Sequence, residues 1–161
     1  MYACVYSAGA TAPALAAVAQ EFSPRFEARD ARVVLDVRGL DRLFGAPKAV
    51  GDEIRREAAD RGLRVHVAVA ATQTAAIVMA ISRPGVVVIE PGEEAAAIAS
   101  VPIDYLVRVG DVQRGDRRDR GADDVAAFTH WGLRTFGDLA ALPADELAAR
   151  LGKPGLVWHA I

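Results

Sequence analysis

The chain has 161 residues, 52% hydrophobic and 6% aromatic, with 19 basic and 21 acidic side chains for a formal net charge of −2. That length supports a core without disulfides or a structural metal, and the near-neutral balance excludes a histone-like binder held to nucleic acid by global charge. Cys4 is the single cysteine, and His66, His130 and His159 stand far apart, which excludes an internal disulfide and a zinc site with ordinary ligand spacing.

Tyr2 to Tyr6 is an apolar run of β-formers, read as the first strand. Gly9 ends it, and Thr11 can cap a helix that tolerates Pro13 in its first turn and carries Leu15, Val18 and Phe22 at helical spacing. Ser23-Pro24 breaks that helix. Phe26 to Ala28 and Arg32 to Val37 predict two strands joined by the turn Arg29-Asp30; the β-branched run from Val33 suits a central strand. Gly39 and Gly45 bound an expected loop containing Leu40, Leu43 and Phe44.

Pro47 opens the clearest helix, with Val50, Ile54 and Ala58 four apart on one face and charges on the other, stopped by Gly62. Leu63, Val65, Val67 and Val69 then alternate, predicting a strand buried mainly on one face. The order to this point is strand, helix, strand, strand, helix, strand. It predicts an α+β, ferredoxin-like βαββαβ unit: four antiparallel strands with two helices on one face. Thr72 caps a further helix through Ser82, stopped by Pro84-Gly85; Val86 to Ile89 reads as another strand and Glu93 to Ala99 as a short helix.

From Val107 the composition changes. Arg108, Arg114, Arg117, Arg118 and Arg120 interleave with Asp111, Asp116 and Asp119, which predicts a solvated linker. Three short helices follow, marked by Val125, Phe128 and Trp131, by Leu139 and Leu142, and by Pro143 through Leu147 and Leu151. The expected division is therefore a domain over 1–106, a linker over 107–121 and a small helical module over 122–161, truncated at its C-terminus. No basic segment precedes an apolar run at the N-terminus, and the most apolar window, 65–81, is interrupted by His66, Thr72, Gln73 and Thr74. A membrane span needs about 20 mostly apolar residues, so a soluble, cytoplasmic protein is expected.

Three segments in this order resemble the Y-family translesion DNA polymerases. Glu21-Phe-Ser-Pro-Arg-Phe-Glu27 followed by Val33-Val-Leu-Asp-Val37 resembles the family's "SP-x-hydrophobic-E … SIDE-x-YLD" stretch. Val67 to Ala80 followed by Arg83-Pro84-Gly85 resembles "GIA-x-NK-x-LAK-x-AS … KPG", and Trp131 to Ala140 resembles "lGI-x-T-x-GDLA" of the thumb. The resemblance implies a polymerase palm over the ferredoxin-like unit and a thumb-like, helix-hairpin-helix type module after it. Polymerase palms use two Mg²⁺ ions held by carboxylates, which the family takes from the first strand and from an adjacent Asp-Glu pair. Anchored on Leu35-Asp36, that pair falls on Ala31 and Arg32; no Asp or Glu precedes Glu21, and the family's lysines of the second motif fall on Gln73 and Ile77.

Expected, then, are no catalytic residues, no metal ligands, no cofactor and no enzymatic activity. The departures resemble the ImuB-type accessory subunits of the family, whose "VVLDVxGLxRLFG" and "VAxAATxTAA" stretches are similar to Val33 to Gly45 and Val67 to Ala76. That resemblance implies a scaffold in bacterial damage-induced mutagenesis that brings an error-prone replicative-type polymerase, a RecA-like accessory protein and the sliding clamp to damaged DNA. The alternatives are a metal-dependent nucleotidyl-transfer enzyme, polymerase or cyclase, on the same palm, and a ferredoxin-like interaction module without DNA contact.

The candidate DNA contacts are Gly132, Arg134, Thr135, Gly137 and Lys153, since helix N-termini in such modules bind phosphates; helix packing is the alternative reading of the same stretch. Asp30, Asp36 and Asp41 read as structural carboxylates, Arg32 as a solvated strand-end charge rather than a phosphate ligand, and the arginines of 108–120 as solvated. Trp131 and Trp158 read as core anchors, Cys4 as buried, and His66 as outward-facing or hydrogen-bonded.

Overall fold

A computed structural model of the chain describes residues 1–110, 125–143 and 145. The chain falls into two compact units, Met1–Glu94 and Ala95–Ile161. No helix among the described residues is long and apolar enough to cross a membrane.

The first unit runs β1 (Tyr2–Tyr6), α1 (Ala12–Gln20), β2 (Phe26–Arg29), β3 (Arg32–Asp36), α2 (Asp41–Phe44), α3 (Pro47–Asp60), β4 (His66–Ala70), α4 (Gln73–Ser82) and β5 (Val86–Val88). The strands form one sheet in the order β2-β3-β1-β4-β5. β1 lies between β3 and β4 and is antiparallel to both, and β2 is antiparallel to β3. This is the split βαβ arrangement expected from the element order. β5 extends it, parallel to β4, as a strand reached through a crossover helix must be.

Alternation along the strands divides the sheet into two faces. Ala3, Val5, Val33, Leu35, Val67 and Val69 point to one face and pack with Leu15 and Val18 of α1 and Val50, Ile54 and Ala58 of α3. The opposite face carries Cys4, Ala68 and Ala70, which are also buried, because α4 packs across β1 and β4. The expectation of a one-faced β4 is therefore corrected. Small alanines at 68 and 70 let a second helix layer close on the strand, and α4 is itself buried from Ala75 to Ile81.

Thr72 caps α4, its Oγ1 accepting the Ala75 N–H at 3.3 Å. Thr11 stands at the N-cap of α1 without a side-chain capping bond. The segment expected as a loop between Gly39 and Gly45 contains the one-turn helix α2; both glycines have φ of +89°, the left-handed region that lets the chain enter and leave so short a turn. Gly51 has a packing role instead: a Cβ there would lie 2.7 Å from Val86 Cγ1, so its absence lets α3 approach β5.

The second unit begins inside α5 (Glu94–Ala99) and continues with a 3₁₀ turn (Ile103–Tyr105), α6 (Leu106–Gly110), helical residues 125–130 (α7) and α8 (Phe136–Ala140). Val101, Ile103, Leu106, Val109, Phe128, Phe136 and Leu139 are buried. The segment before the 3₁₀ turn pairs with the start of α8: Ile103 N–H donates to Arg134 O at 2.9 Å and Phe136 N–H to Val101 O at 3.0 Å. Trp131 meets Phe128 edge-on, with ring centroids 5.7 Å apart. α6 occupies the start of the expected linker. Residues 111–121 of that linker, and Leu147, Leu151, Lys153 and Trp158 beyond it, lie outside the described residues.

Candidate functional site

The hairpin between β2 and β3 turns at Asp30-Ala31, with Arg29 directly opposite Arg32. Asp30 has φ of 44°, a conformation that Asp adopts more readily than most residues. The turn delivers Arg32 to the start of β3, opposite Tyr6, the last residue of β1; Tyr6 in turn lies opposite His66, the first residue of β4. Ser7 N–H closes this end of the sheet by donating to Ala31 O at 2.9 Å.

A cross-strand row therefore runs Arg29, Arg32, Tyr6, His66 along the end of the sheet, on the face that also carries Cys4. The rings of Tyr6 and His66 lie 6.1 Å apart at 52°. Arg32 is only 5% exposed, which corrects the expectation of a solvated strand-end charge. Its hairpin position looks terminal in sequence, but the sheet continues past it on both sides through β2 and β1. Burial pushes the Cys4 thiol up to about 12, with the Arg32 charge pulling modestly the other way. A cysteine in that state is an inert apolar group rather than a nucleophile.

Asp30 stands in the hairpin turn beside the row; the other carboxylates nearby in sequence pair with arginines or lie elsewhere. Asp36 sits at the far end of β3, opposite Tyr2. Arg38 Nε donates to both of its oxygens, at 2.9 and 3.0 Å, and Arg25 lies 3.7 Å away. The hydrogen bond from Arg38, more than any other influence, holds Asp36 well below the usual carboxylate range. Glu27 pairs with Arg29 at 2.7 Å, and Asp41 opens α2. Among the described residues, no group of three or more His, Cys, Asp and Glu side chains comes together in a metal-binding cluster.

The donor set of the row does not fit a divalent cation. Mg²⁺ requires oxygen ligands, mostly carboxylate and water; the row offers a phenol, an imidazole and two guanidinium groups. Like unit charges ~4 Å apart repel by about 4 kcal/mol at an effective dielectric of ~20. Ala31, beside Arg32, has no polar side chain.

A groove of about 370 Å³ crosses the other end of this face, lined by Tyr2, Glu27, Asp36, Gln73, Arg25 and Arg38 among others. Gln73 opens α4 at its mouth, whereas Ile77 is buried within the helix. Sequence reasoning missed Arg25 and Arg38 as neighbours of Gln73, because the pairing of Asp36 with Tyr2, and not chain proximity, brings them together.

The structure gathers four of the five candidate DNA-contact residues in one turn. Gly132 ends α7 with φ of +83°, and Arg134, Thr135 and Gly137 surround the start of α8. Thr135 and Asp138 form a reciprocal capping box: Asp138 N–H donates to Thr135 Oγ1 at 3.1 Å, and the Arg134 and Thr135 N–H groups donate to Asp138 Oδ2 at 2.9 Å. Those backbone bonds hold the Asp138 carboxyl below its ordinary value. The N–H groups of Arg134, Thr135, Phe136 and Asp138 at this helix start are thus satisfied internally, while the Arg134 side chain remains exposed. A Cβ on Gly137 would stand 3.0 Å from Ala99 O, so this glycine admits close packing against α5. Lys153 lies outside the described residues.

Compared with known proteins, the chain matches no protein-family model. It is 32% identical over 123 residues to Protein ImuB of Caulobacter vibrioides, an alignment covering 76% of this chain and 24% of that protein. It is 33% identical over 132 residues to DNA polymerase IV of Caulobacter vibrioides, covering 78% and 29% respectively. The chain thus spans between about a quarter and a third of the length of these relatives. Among solved structures, a DinB family error-prone DNA polymerase from Sulfolobus solfataricus superposes with a TM-score of 0.66 at 17% identity, over 92% of this chain and 43% of that one. The five-stranded sheet and its helices share the fold of that polymerase's palm.

Proposed function

Starting from a chain that is Y-family polymerase-like, similar to the proteins named ImuB and DNA polymerase IV, we propose that it is a non-catalytic polymerase-like part of a damage-induced mutagenesis and DNA-repair machinery. The row Arg29–Arg32–Tyr6–His66 carries this reading. It occupies the sheet end to which the family resemblance assigns the metal-binding carboxylates, and its chemistry is cationic and aromatic. The surrounding sheet keeps its hydrophobic pattern on both faces, as expected of a palm kept for its shape rather than its reaction.

The partners belong to the same proposal. DNA, an error-prone replicative-type polymerase, a RecA-like accessory protein and the sliding clamp are what the resemblance to ImuB-type proteins implies, in the cytoplasm. The second unit would act as the thumb-like module. Its DNA contact would come from the exposed Arg134 side chain near Gly132, together with Lys153, rather than from the Arg134 and Thr135 N–H groups, which Asp138 already holds. Primer extension with Mg²⁺ or Mn²⁺ tests the non-catalytic role: no nucleotide incorporation is expected, and template-dependent extension by the chain would refute it. Salt-dependent DNA binding tests the rest, since contacts to phosphates weaken steeply as salt rises.

A further inference from the structure

The α3–β4 turn is wrapped by a groove that meets the row already described at Tyr6 and His66. One half, about 460 Å³, lies between the turn and the β1–α1 loop. The other, about 390 Å³, lies between the turn and Pro84-Gly85. Leu63, Arg64 and His66 line both halves, and Arg55 lines the second; no aspartate or glutamate lines either. The floor is apolar, built from residues such as Ala8, Ala10, Ala59 and Val65.

Several arginines elsewhere on the unit have acidic partners, whereas Arg42 of α2 forms no ion pair with any described residue. Arg25, Arg29, Arg38, Arg56 and Arg61 each face a carboxylate within 4 Å. Arg55 and Arg64 form no ion pair or side-chain hydrogen bond with any described residue. Arg83, exposed and immediately before Pro84, is in the same condition. His66 adds a buried Nδ1 that lacks a hydrogen-bond partner. In a chain whose net charge is −2, unpaired guanidinium groups collect where no acid lies beside them.

We propose that this groove docks an acidic peptide segment of a partner protein, one carrying an aliphatic side chain beside its carboxylates. A guanidinium fork matches a carboxylate in geometry and charge, and the apolar floor between the arginines takes an aliphatic anchor. A nucleic-acid backbone is the poorer fit: its phosphates call for a run of polar donors, and this groove is short and floored by alanine, leucine and valine. The docking does not depend on the absence of catalysis, and its test involves no nucleotide chemistry.

The test is fluorescence anisotropy on the whole chain with a labelled peptide of alternating aspartate and leucine. A lysine–leucine peptide and single-stranded oligothymidylate serve as competing probes. Saturable binding of the acidic peptide is expected, weakened by salt and reduced about tenfold or more in the double variant Arg55→Glu, Arg64→Glu. Arg42→Glu, an exposed site on α2 away from the groove, leaves it unchanged. Because Arg55 and Arg64 are exposed, the variants keep their circular dichroism and melting transition; Arg64→Gln supplies a milder check in the same direction. The proposal is overturned by no saturable binding, by equal binding of the basic peptide or by affinity indifferent to Arg55 and Arg64. Tighter, arginine-dependent binding of oligothymidylate would also overturn it and mark the groove as a nucleic-acid contact.

Discussion

Tyr6 stands directly opposite Arg32 across the β1–β3 ladder, with His66 opposite Tyr6 on the other side. Arg32 is buried in that setting, so its charge is part of the sheet's interior and not an ornament of its edge. Replacing it by glutamate places an anion in the same buried position. Arg32→Glu is expected to cost about 3 kcal/mol of stability, as mismatched buried charges do, and Arg32→Met, which keeps the volume, about 1 kcal/mol or less. Urea denaturation of the two variants measures the difference; equal effects would mean that Arg32 is solvated after all.

Asp36 is predicted to make stability depend on pH in the acid range. Its folded-state value is depressed, chiefly by the hydrogen bond from Arg38, so its contribution is complete above the unfolded value of about 4. It is lost as pH falls from there through the folded value. The Arg38 side chain is 60% exposed, which limits the contribution to about 1 kcal/mol. Asp36→Asn should therefore lower stability at neutral pH and leave it nearly unchanged at the most acid pH where both proteins still fold. Denaturation curves at several pH values check this.

Gly51 and Val86 are predicted to be coupled. Gly51→Ala gains about 1 kcal/mol of helix propensity but drives a methyl to 2.7 Å from Val86 Cγ1, and overpacking costs about 1–3 kcal/mol. A net loss is expected, with part of it recovered when Val86→Ala is added. The double-mutant cycle should show a favourable interaction between the two replacements; strict additivity would contradict close packing of α3 on β5.

The capping box at α8 is predicted to stabilise the second unit locally. Thr135→Ala should cost about 1 kcal/mol. Asp138→Asn should act in the same direction, because the Arg134 and Thr135 N–H groups lose their ionised acceptor. Hydrogen exchange at those two amides is the readout: faster exchange in both variants is expected, with the β1–β4 amides unaffected.

The order of elements was legible because its signals are local. Thr72 before an apolar helix, Val50-Ile54-Ala58 at helical spacing, and the β-branched run at Val33 each point to one structure. What escaped depended on contacts distant in sequence. Ala68 and Ala70 are neutral in an alternation pattern, so nothing in β4 announced that α4 would bury its second face. The strand read at Val86 carried no sign of which edge it would join. Arg32 looked solvated because a strand end is usually exposed, and only the register of β2, β3 and β1 encloses it. Within the candidate site, the expectation that Ala31 and Arg32 stand where the family resemblance puts an Asp-Glu pair came from anchoring on Leu35-Asp36. The alignment of Tyr6 and His66 with Arg32 was not legible, since it is a property of the ladder. Of the arginines of the α3–β4 groove, Arg55 was hidden in the polar face of an ordinary amphipathic helix and Arg64 in the turn that follows it.

The central claim, that the sheet end bearing Arg32 does not support nucleotide transfer, is most directly tested by primer extension with purified chain, a primed template, all four deoxynucleoside triphosphates and either Mg²⁺ or Mn²⁺. The account predicts no extension with either metal. Incorporation that tracks the purified chain and disappears in Asp30→Asn or Asp36→Asn would contradict it, by showing that one of these carboxylates holds the metals.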